Sequence, residues 1–267
     1  MDNYLQKSKA YKGFHYSVLS DDMYTYLHNT TKKMFREIID IFNEYNIRYT
    51  ICGGTLLGAY TRGKFIPWDD DVDICVWEED YERMISVLLD NLSDNWKLQC
   101  TKTEPNYFHG WVKVRDKNSV TYPKNDSYNY NGVWIDLYKI IKCDTNEVDY
   151  LIAKEHLDYL QRRFVVGSIS NSEKNKRIND NQLLERIKVS KEKFNEKTGR
   201  MVYVIWSASK IVLEESWYQP FKKYFFEGIE CFSFYNAEKY LISHYGSDFK
   251  KLPPDDMRRV GINRITY

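Results

Sequence analysis

The sequence predicts an α/β fold in which a mixed sheet is flanked by helices and followed by a mainly helical C-terminal half. Up to about residue 145, segments of helical spacing alternate with short apolar or alternating runs. Beyond it, residues 147–165 and 180–195 carry helical spacing around a polar stretch at 170–181. The chain has 267 residues, 43% of them hydrophobic, enough for a core that needs no disulfide or zinc staple. The expected division is an arm over 1–24, an α/β core over 25–145 and a mainly helical region over 146–267.

Within 25–45, Met34, Phe35, Ile38, Ile41, Phe42 and Tyr45 recur at three and four residues, the pattern of an amphipathic helix. Arg48–Cys52 reads as a short strand, Gly53-Gly54 as a turn, and Thr55 as the N-cap of a short helix over Leu56–Tyr60. Gly63 and Pro67 mark a loop, and Asp71–Val76 alternates as a strand. Glu78–Leu92 is a helix with acidic residues in its first turn, where the macrodipole favours them. Strands are expected at Trp96–Cys100, Phe108–Arg115 and Val133–Ile141. In the C-terminal half, Met201–Leu213 is the most apolar long segment and is expected as part of the helical region, with a further helix near Ala237–Tyr245.

Composition narrows the function. Lys+Arg 39 against Asp+Glu 38 leaves a net charge of +1, which argues against a chain that coats nucleic acid. No run approaches the roughly 20 apolar residues of a membrane span, and MDNYLQKSKAYKGFHY lacks the apolar centre of a signal peptide. Cys52, Cys75, Cys100, Cys143 and Cys231 are odd in number and widely spaced, without a CxxC. These features point to reduced thiols in the cytoplasm rather than to a zinc cluster. The aromatic content of 16% suits sugar and nucleobase surfaces, though it also fills ordinary cores.

The chemistry concentrates in Phe65–Val76, FIPWDDDVDICV. Along a strand, Asp71 and Asp73 share one face while Val72 and Ile74 share the other. Two carboxylates about 7 Å apart beside a core repel each other, and a divalent cation relieves the repulsion. Oxygen donors on rigid backbone suit Mg²⁺ or Mn²⁺. Taken alone, such a DxD is more often a solvated acidic turn. Here the Gly53-Gly54 turn lies upstream, where backbone N–H groups can approach a phosphate. Asp136 lies downstream inside the apolar run VWIDLYKII. Strand, Gly-Gly, helix, strand with DxD, then strand with Asp is the layout of nucleotidyltransferase-fold active sites. In 108–115, His109, Trp111, Lys113 and Arg115 form one face, and Lys113 and Arg115 are candidates for phosphate oxygens. His109 alone reads as structural.

GGTLLGAYTRGKFIPWDDDVDI, residues 53–74, resembles the signature of the LicD family of phospho-alcohol transferases, which extends distantly to fukutin and fukutin-related protein. The likeness continues through KVRDKNS (113–119), GVWIDLY (132–138), FFEG (225–228) and YGSDFKKLPP (245–254), and is weakest over 146–215. Thr61 and Arg62 depart from it, standing where the family often has Arg and His; Arg62 and Lys64 are the neighbouring cations available to phosphate. The resemblance implies a nucleotidyltransferase-like fold and metal-dependent transfer of a phospho-alcohol from a CDP-activated donor to a sugar or lipid-linked glycan acceptor. It implies Mg²⁺ or Mn²⁺ on Asp71, Asp73 and Asp136, donor contacts from Gly53, Gly54, Thr55, Arg62, Lys64, Lys113 and Arg115, and supporting roles for Asp69 and Asp70. It also makes Glu227 a cleft candidate. Rival readings are a strict nucleotidyltransferase using an NTP, a DxD glycosyltransferase, and a non-catalytic partner in glycan assembly. Trp217, Tyr218, Phe221, Lys222, Lys223, Tyr224 and Phe225 suit either a core helix with a solvated lysine pair or peripheral contact with the inner membrane face.

Overall fold

The computed structural model describes residues 18–267, apart from 125–127, 195, 197, 207–211, 219, 220, 255–257 and 259. Most of the expected N-terminal arm therefore lies outside the described residues. Helix α1 (Asp21–Glu44) starts at Ser20, whose side chain accepts the Met23 N–H, and carries Asp21 and Asp22 in its first turn. Its buried stripe includes Leu27, Met34, Phe35, Ile38 and Phe42. Strand β1 (Tyr49–Ile51) is buried throughout. Helix α2 (Gly53–Arg62) follows directly and stops at Gly63, which takes a left-handed φ of 67°. Then come β2 (Val72–Trp77), α3 (Glu78–Asn91), β3 (Trp96–Gln99), β4 (Val112–Asp116), β5 (Val120–Tyr122) and β6 (Trp134–Asp144).

Seven strands form one mixed sheet. Its main path runs β1-β2-β6-β4-β3, and β7 (Met201–Trp206) joins β6 and carries β8 (Val212–Glu214) on its other edge. β2 and β6 are parallel, while the other pairs in the sheet are antiparallel. The parallel register sets Asp73 opposite Asp136. Helix α1 packs against β4 and β6, and α3 against β2, β3 and β6. Val72, Ile74, Ile135, Leu137 and Val114 join the main core with Phe35, Ile38, Met84 and Leu88.

The C-terminal half is mainly helical up to residue 193, with α4 (Val148–Val165), α5 (Asn171–Asp180) and α6 (Leu183–Lys193). Two expectations change there. The polar stretch 170–181 is not a separator: Ser170 caps α5 by accepting the Glu173 N–H at 3.1 Å, and Glu173 pairs with Arg177 one turn on. The described parts of Met201–Leu213 are strand rather than helix: the β-branched and aromatic run MVYVIW forms β7 on the free edge of β6, and Val212–Glu214 forms β8. After α7 (Glu215–Tyr218), Lys222–Phe226 is likewise a strand, β9, paired with β10 (Ile229–Ser233). Glu227 and Gly228 link them at φ 53° and 76°, the conformation of a tight two-residue hairpin turn. Lys222 and Lys223 stay exposed on this hairpin, with Lys223 paired to Glu230. Helix α8 (Ala237–Tyr245) packs near α2, and β11 (Arg264–Thr266) pairs with β5. Among the described residues, no helix is long and apolar enough to cross a membrane.

Candidate active site

Asp71 precedes β2, Asp73 is its second residue, and Asp136 sits across the parallel register on β6. One carboxylate oxygen from each of the three lies within 4.8 Å of the others. Asp69, Asp70 and Asp71 form a second group of the same tightness, so five carboxyls share this end of the sheet. Asp136 is buried and the other four are half-buried, leaving an open side.

The electrostatic consequence is direct. Burial raises the Asp73 carboxyl to about 7, with Asp136 adding to the rise and Lys113 opposing it. Asp71 stands well above the usual carboxylate range through burial and then the carboxylates of Asp73, Asp70, Asp136 and Asp69. Asp69 stands well above it and Asp70 above it, again chiefly through burial.

Asp136 differs in being saturated with donors. Its Oδ1 accepts Lys113 Nζ at 2.5 Å and Trp111 Nε1 at 2.6 Å, while Oδ2 accepts Trp134 Nε1 at 3.0 Å. Lys113 and Asp136 form a buried ion pair, with side chains 7% and 4% exposed. The Lys113 ammonium thus lies at the acidic cluster, bound to one of its carboxylates. Arg115, two residues along the same face of β4, turns elsewhere: Nε donates to Gln99 Oε1 and one terminal nitrogen to the Gly132 carbonyl. Its guanidinium is committed to structure, away from the phosphate contact expected of it.

The paired glycines do more than turn the chain. They form the first residues of α2. A Cβ on Gly53 would stand 2.1 Å from Asp73 Oδ2, and one on Gly54 would stand 2.5 Å from Asp69 Oδ2. Gly53 also takes a φ of +54°. The carboxylates therefore lie against bare backbone, and the Gly54 N–H bonds Asp73. The Gly53 N–H donates to Tyr240 Oη and is already satisfied. Thr55 is not the N-cap, a position held by Cys52; its Oγ1 accepts the Asp73 N–H at 2.8 Å and ties α2 to β2. Arg62 and Lys64 are exposed at and just beyond the end of α2.

Several supporting contacts were invisible in the linear pattern. The His28 Nε2–H donates to the Asp69 carbonyl at 3.0 Å, and its ring stacks on Phe65. The Gly261 N–H donates to Asp70 Oδ2 at 3.0 Å, with β11 anchoring this C-terminal segment on β5. The Glu227 carboxylate accepts the Phe65 N–H at 3.0 Å and meets Lys32 at 3.7 Å, so it clamps the loop after α2. Trp111 and Trp134 carried no sequence signal for their role, because nothing in the spacing reveals two indoles converging on one carboxylate.

Residues 46–159 match the family model described as the LicD/FKTN/FKRP nucleotidyltransferase domain, a span that contains the Asp71–Asp73–Asp136 group. Over this segment the chain is similar to the LicD family. It is 26% identical over 253 residues to the lipopolysaccharide cholinephosphotransferase LicD of Haemophilus influenzae, covering 82% of this chain and 89% of that protein. The ribitol 5-phosphate transferases FKRP of Mus musculus and Homo sapiens are 42% identical over 45 residues, covering 17% of this chain and 9% of theirs. By name these relatives are a cholinephosphotransferase and ribitol 5-phosphate transferases.

The donor set fits a hard divalent ion. It consists of carboxylate oxygens alone, with no His or Cys in either group. It sits against glycines that leave room for it, and it opens to solvent on one side.

Proposed function

We propose that this protein is a LicD-like transferase that moves a phospho-alcohol from a CDP-activated donor to a hydroxyl of a cell-surface glycan precursor. The observation that carries the reading is the Asp71–Asp73–Asp136 group, with carboxylate oxygens within 4.8 Å, inside the family-matched segment. Asp71, Asp73 and Asp136 are the residues that would hold Mg²⁺ or Mn²⁺. When bound, the ion neutralises charge on the diphosphate and on the leaving nucleotide. Trp111, Trp134 and Lys113 fix Asp136 in place through hydrogen bonds to its two carboxylate oxygens. The exposed cations Arg62 and Lys64 are the side chains available to donor phosphates. The Asp69 backbone is held by His28 and the Asp70 carboxylate by Gly261, beside the acidic cluster. Acceptor selection is assigned to the region after residue 145.

The name of the Haemophilus influenzae relative supports choline as the first alcohol to test. The deciding experiment incubates the protein with Mg²⁺, a glycolipid extract and CDP-choline, CDP-ethanolamine, CDP-glycerol or CDP-ribitol, and follows products by mass spectrometry. Release of CMP with a mass gain of one phospho-alcohol on the acceptor is the expected result. Pyrophosphate release from an NTP, with every CDP-alcohol untouched, would replace this reading with that of a strict nucleotidyltransferase.

A further inference from the structure

β6 changes neighbours part-way along its length. Its first residues pair with β4, up to Leu137 opposite Val112, and from Lys139 onward its partner is β7. Tyr138 stands at the hand-over, and its ring lies 5.3 Å from that of Trp111 in the segment leading into β4. Where strands diverge from a shared neighbour, a sheet leaves a crevice, which is where open α/β sheets bind ligands. A small pocket lies here. Its lining includes Tyr81, Glu82, Lys102, His109, Trp111 and Lys139. Trp111 is the wall it shares with the acidic cluster, since the Trp111 indole N–H donates to Asp136 Oδ1.

The polar groups of this pocket are arranged for an anion. The Lys139 ammonium sits 5.1 Å from the centre of the Tyr81 ring, and no carboxylate among the described residues pairs with it. Lys102 at the mouth is partnered by Glu82, so the pair leaves the Lys139 charge in excess. His109 Nδ1 is buried and has no hydrogen-bond partner. Buried polar atoms are rarely left so unless something else completes them. Burial and the nearby cations Lys113, Arg115, Arg163 and Arg162 hold this imidazole well below its usual pKa, so it is neutral and can donate from Nδ1–H.

We propose that this pocket, between α3, the segment after β3, the segment leading into β4 and Lys139 of β6, is a second anion site that takes a phosphate group, with Lys139 supplying the charge and the His109 Nδ1–H donating to an oxygen. The site holds none of the five carboxylates and shares only the Trp111 wall with them. Its phosphate is either free or carried on a sugar, and the two are distinguishable by affinity.

The test is calorimetric titration in EDTA, which removes metal-bridged binding at the acidic cluster. Inorganic phosphate and N-acetylglucosamine 1-phosphate are the two probes. One saturable site is expected in the parent and in Asp71→Asn, with affinity about tenfold weaker in Lys139→Met and several-fold weaker in His109→Phe. Tighter binding of the glycosyl phosphate marks a phosphate carried on a sugar, whereas equal binding marks the free anion. A nitrogen-resolved NMR spectrum of the parent should show the His109 side chain shifting on phosphate addition, a readout that needs no variant to fold. No saturable binding in the parent, or parent-like affinity in both pocket variants, overturns the proposal. Binding that appears only when Mg²⁺ replaces EDTA places the anion at the carboxylates and overturns it equally.

Discussion

Removing charge at Asp71 should have opposite effects on stability and on activity. Its carboxyl is destabilised by burial and by four neighbouring carboxylates, so Asp71→Asn should raise the melting temperature of the metal-free protein. The same change should abolish the stabilisation given by Mn²⁺ and lower turnover by about 10³-fold, the scale of losing an electrostatic anchor at a phosphoryl centre. A variant that melts lower than the parent in EDTA would mean the carboxylates are not in conflict. Lys113→Met is the converse case. It leaves Asp136 buried with two indole donors but no countercharge, and should cost about 3–5 kcal/mol in denaturant unfolding. At the glycines the obstacle is steric. Gly54→Ala drives a methyl towards Asp69 Oδ2, and Asp69→Ala in the same chain should restore most of the lost stability. Additive losses in that double variant would show that the contact is not the cause.

Elements whose local chemistry and partner agree were legible in the sequence. The α1 stripe, the acidic first turn of α3 and the alternation of β2 led directly to helices and strand within a few residues of their true ends. The DxD face on β2 and the lone Asp on β6 were readable for the same reason: only an unusual polar group interrupts each apolar strand. What could not be read was pairing. Met201–Trp206 is as apolar as a buried helix, and only the free edge of β6 decides that it is a strand. Arg115 looked equivalent to Lys113 by alternation, yet Gln99 on the adjacent β3 claims its guanidinium. Thr55 looked like a cap because its partner, the Asp73 N–H, is 18 residues away. This side chain couples two elements. Thr55→Val should leave the Asp73 N–H unpaired, cost about 1–3 kcal/mol, and weaken Mn²⁺ binding by letting β2 drift from α2. Unchanged metal affinity at reduced stability would confine its role to folding.

Over the whole molecule, the raised carboxyl pKa values make stability depend on pH and on metal together. An unfolded Asp titrates near ~3.9, whereas folded Asp73 titrates at about 7 and Asp71 also lies high. Between those limits the folded chain binds more protons than the unfolded one, so stability falls as pH rises through that window. The metal-free protein should therefore melt higher at pH 5 than at pH 7.5. If Mg²⁺ is held as proposed, it would compete with those protons, so its stabilisation should be small at pH 5 and largest above pH 7. Melting curves with and without Mg²⁺ across this range test both signs at once, and a metal-free protein that gains stability from pH 5 to 7.5 would contradict them.

The parallel pairing of β2 with β6 also governs when the site comes into being. Asp73 and Asp136 meet across 63 positions of chain (136 − 73), and the segment between them must build α3, β3 and β4 first or alongside. Closing so long a loop is slow compared with forming a helix or hairpin. The 22-residue stretch 53–74, although it carries most of the recognisable motif, holds only half of the cluster's framework. As an isolated peptide it would bring Asp71 and Asp73 to an ion without Asp136, the indoles or Lys113. On the proposed reading, metal capture during refolding would be a late event that reports assembly of the central sheet, and a kinetic trace of Mn²⁺ uptake would follow the slowest folding phase.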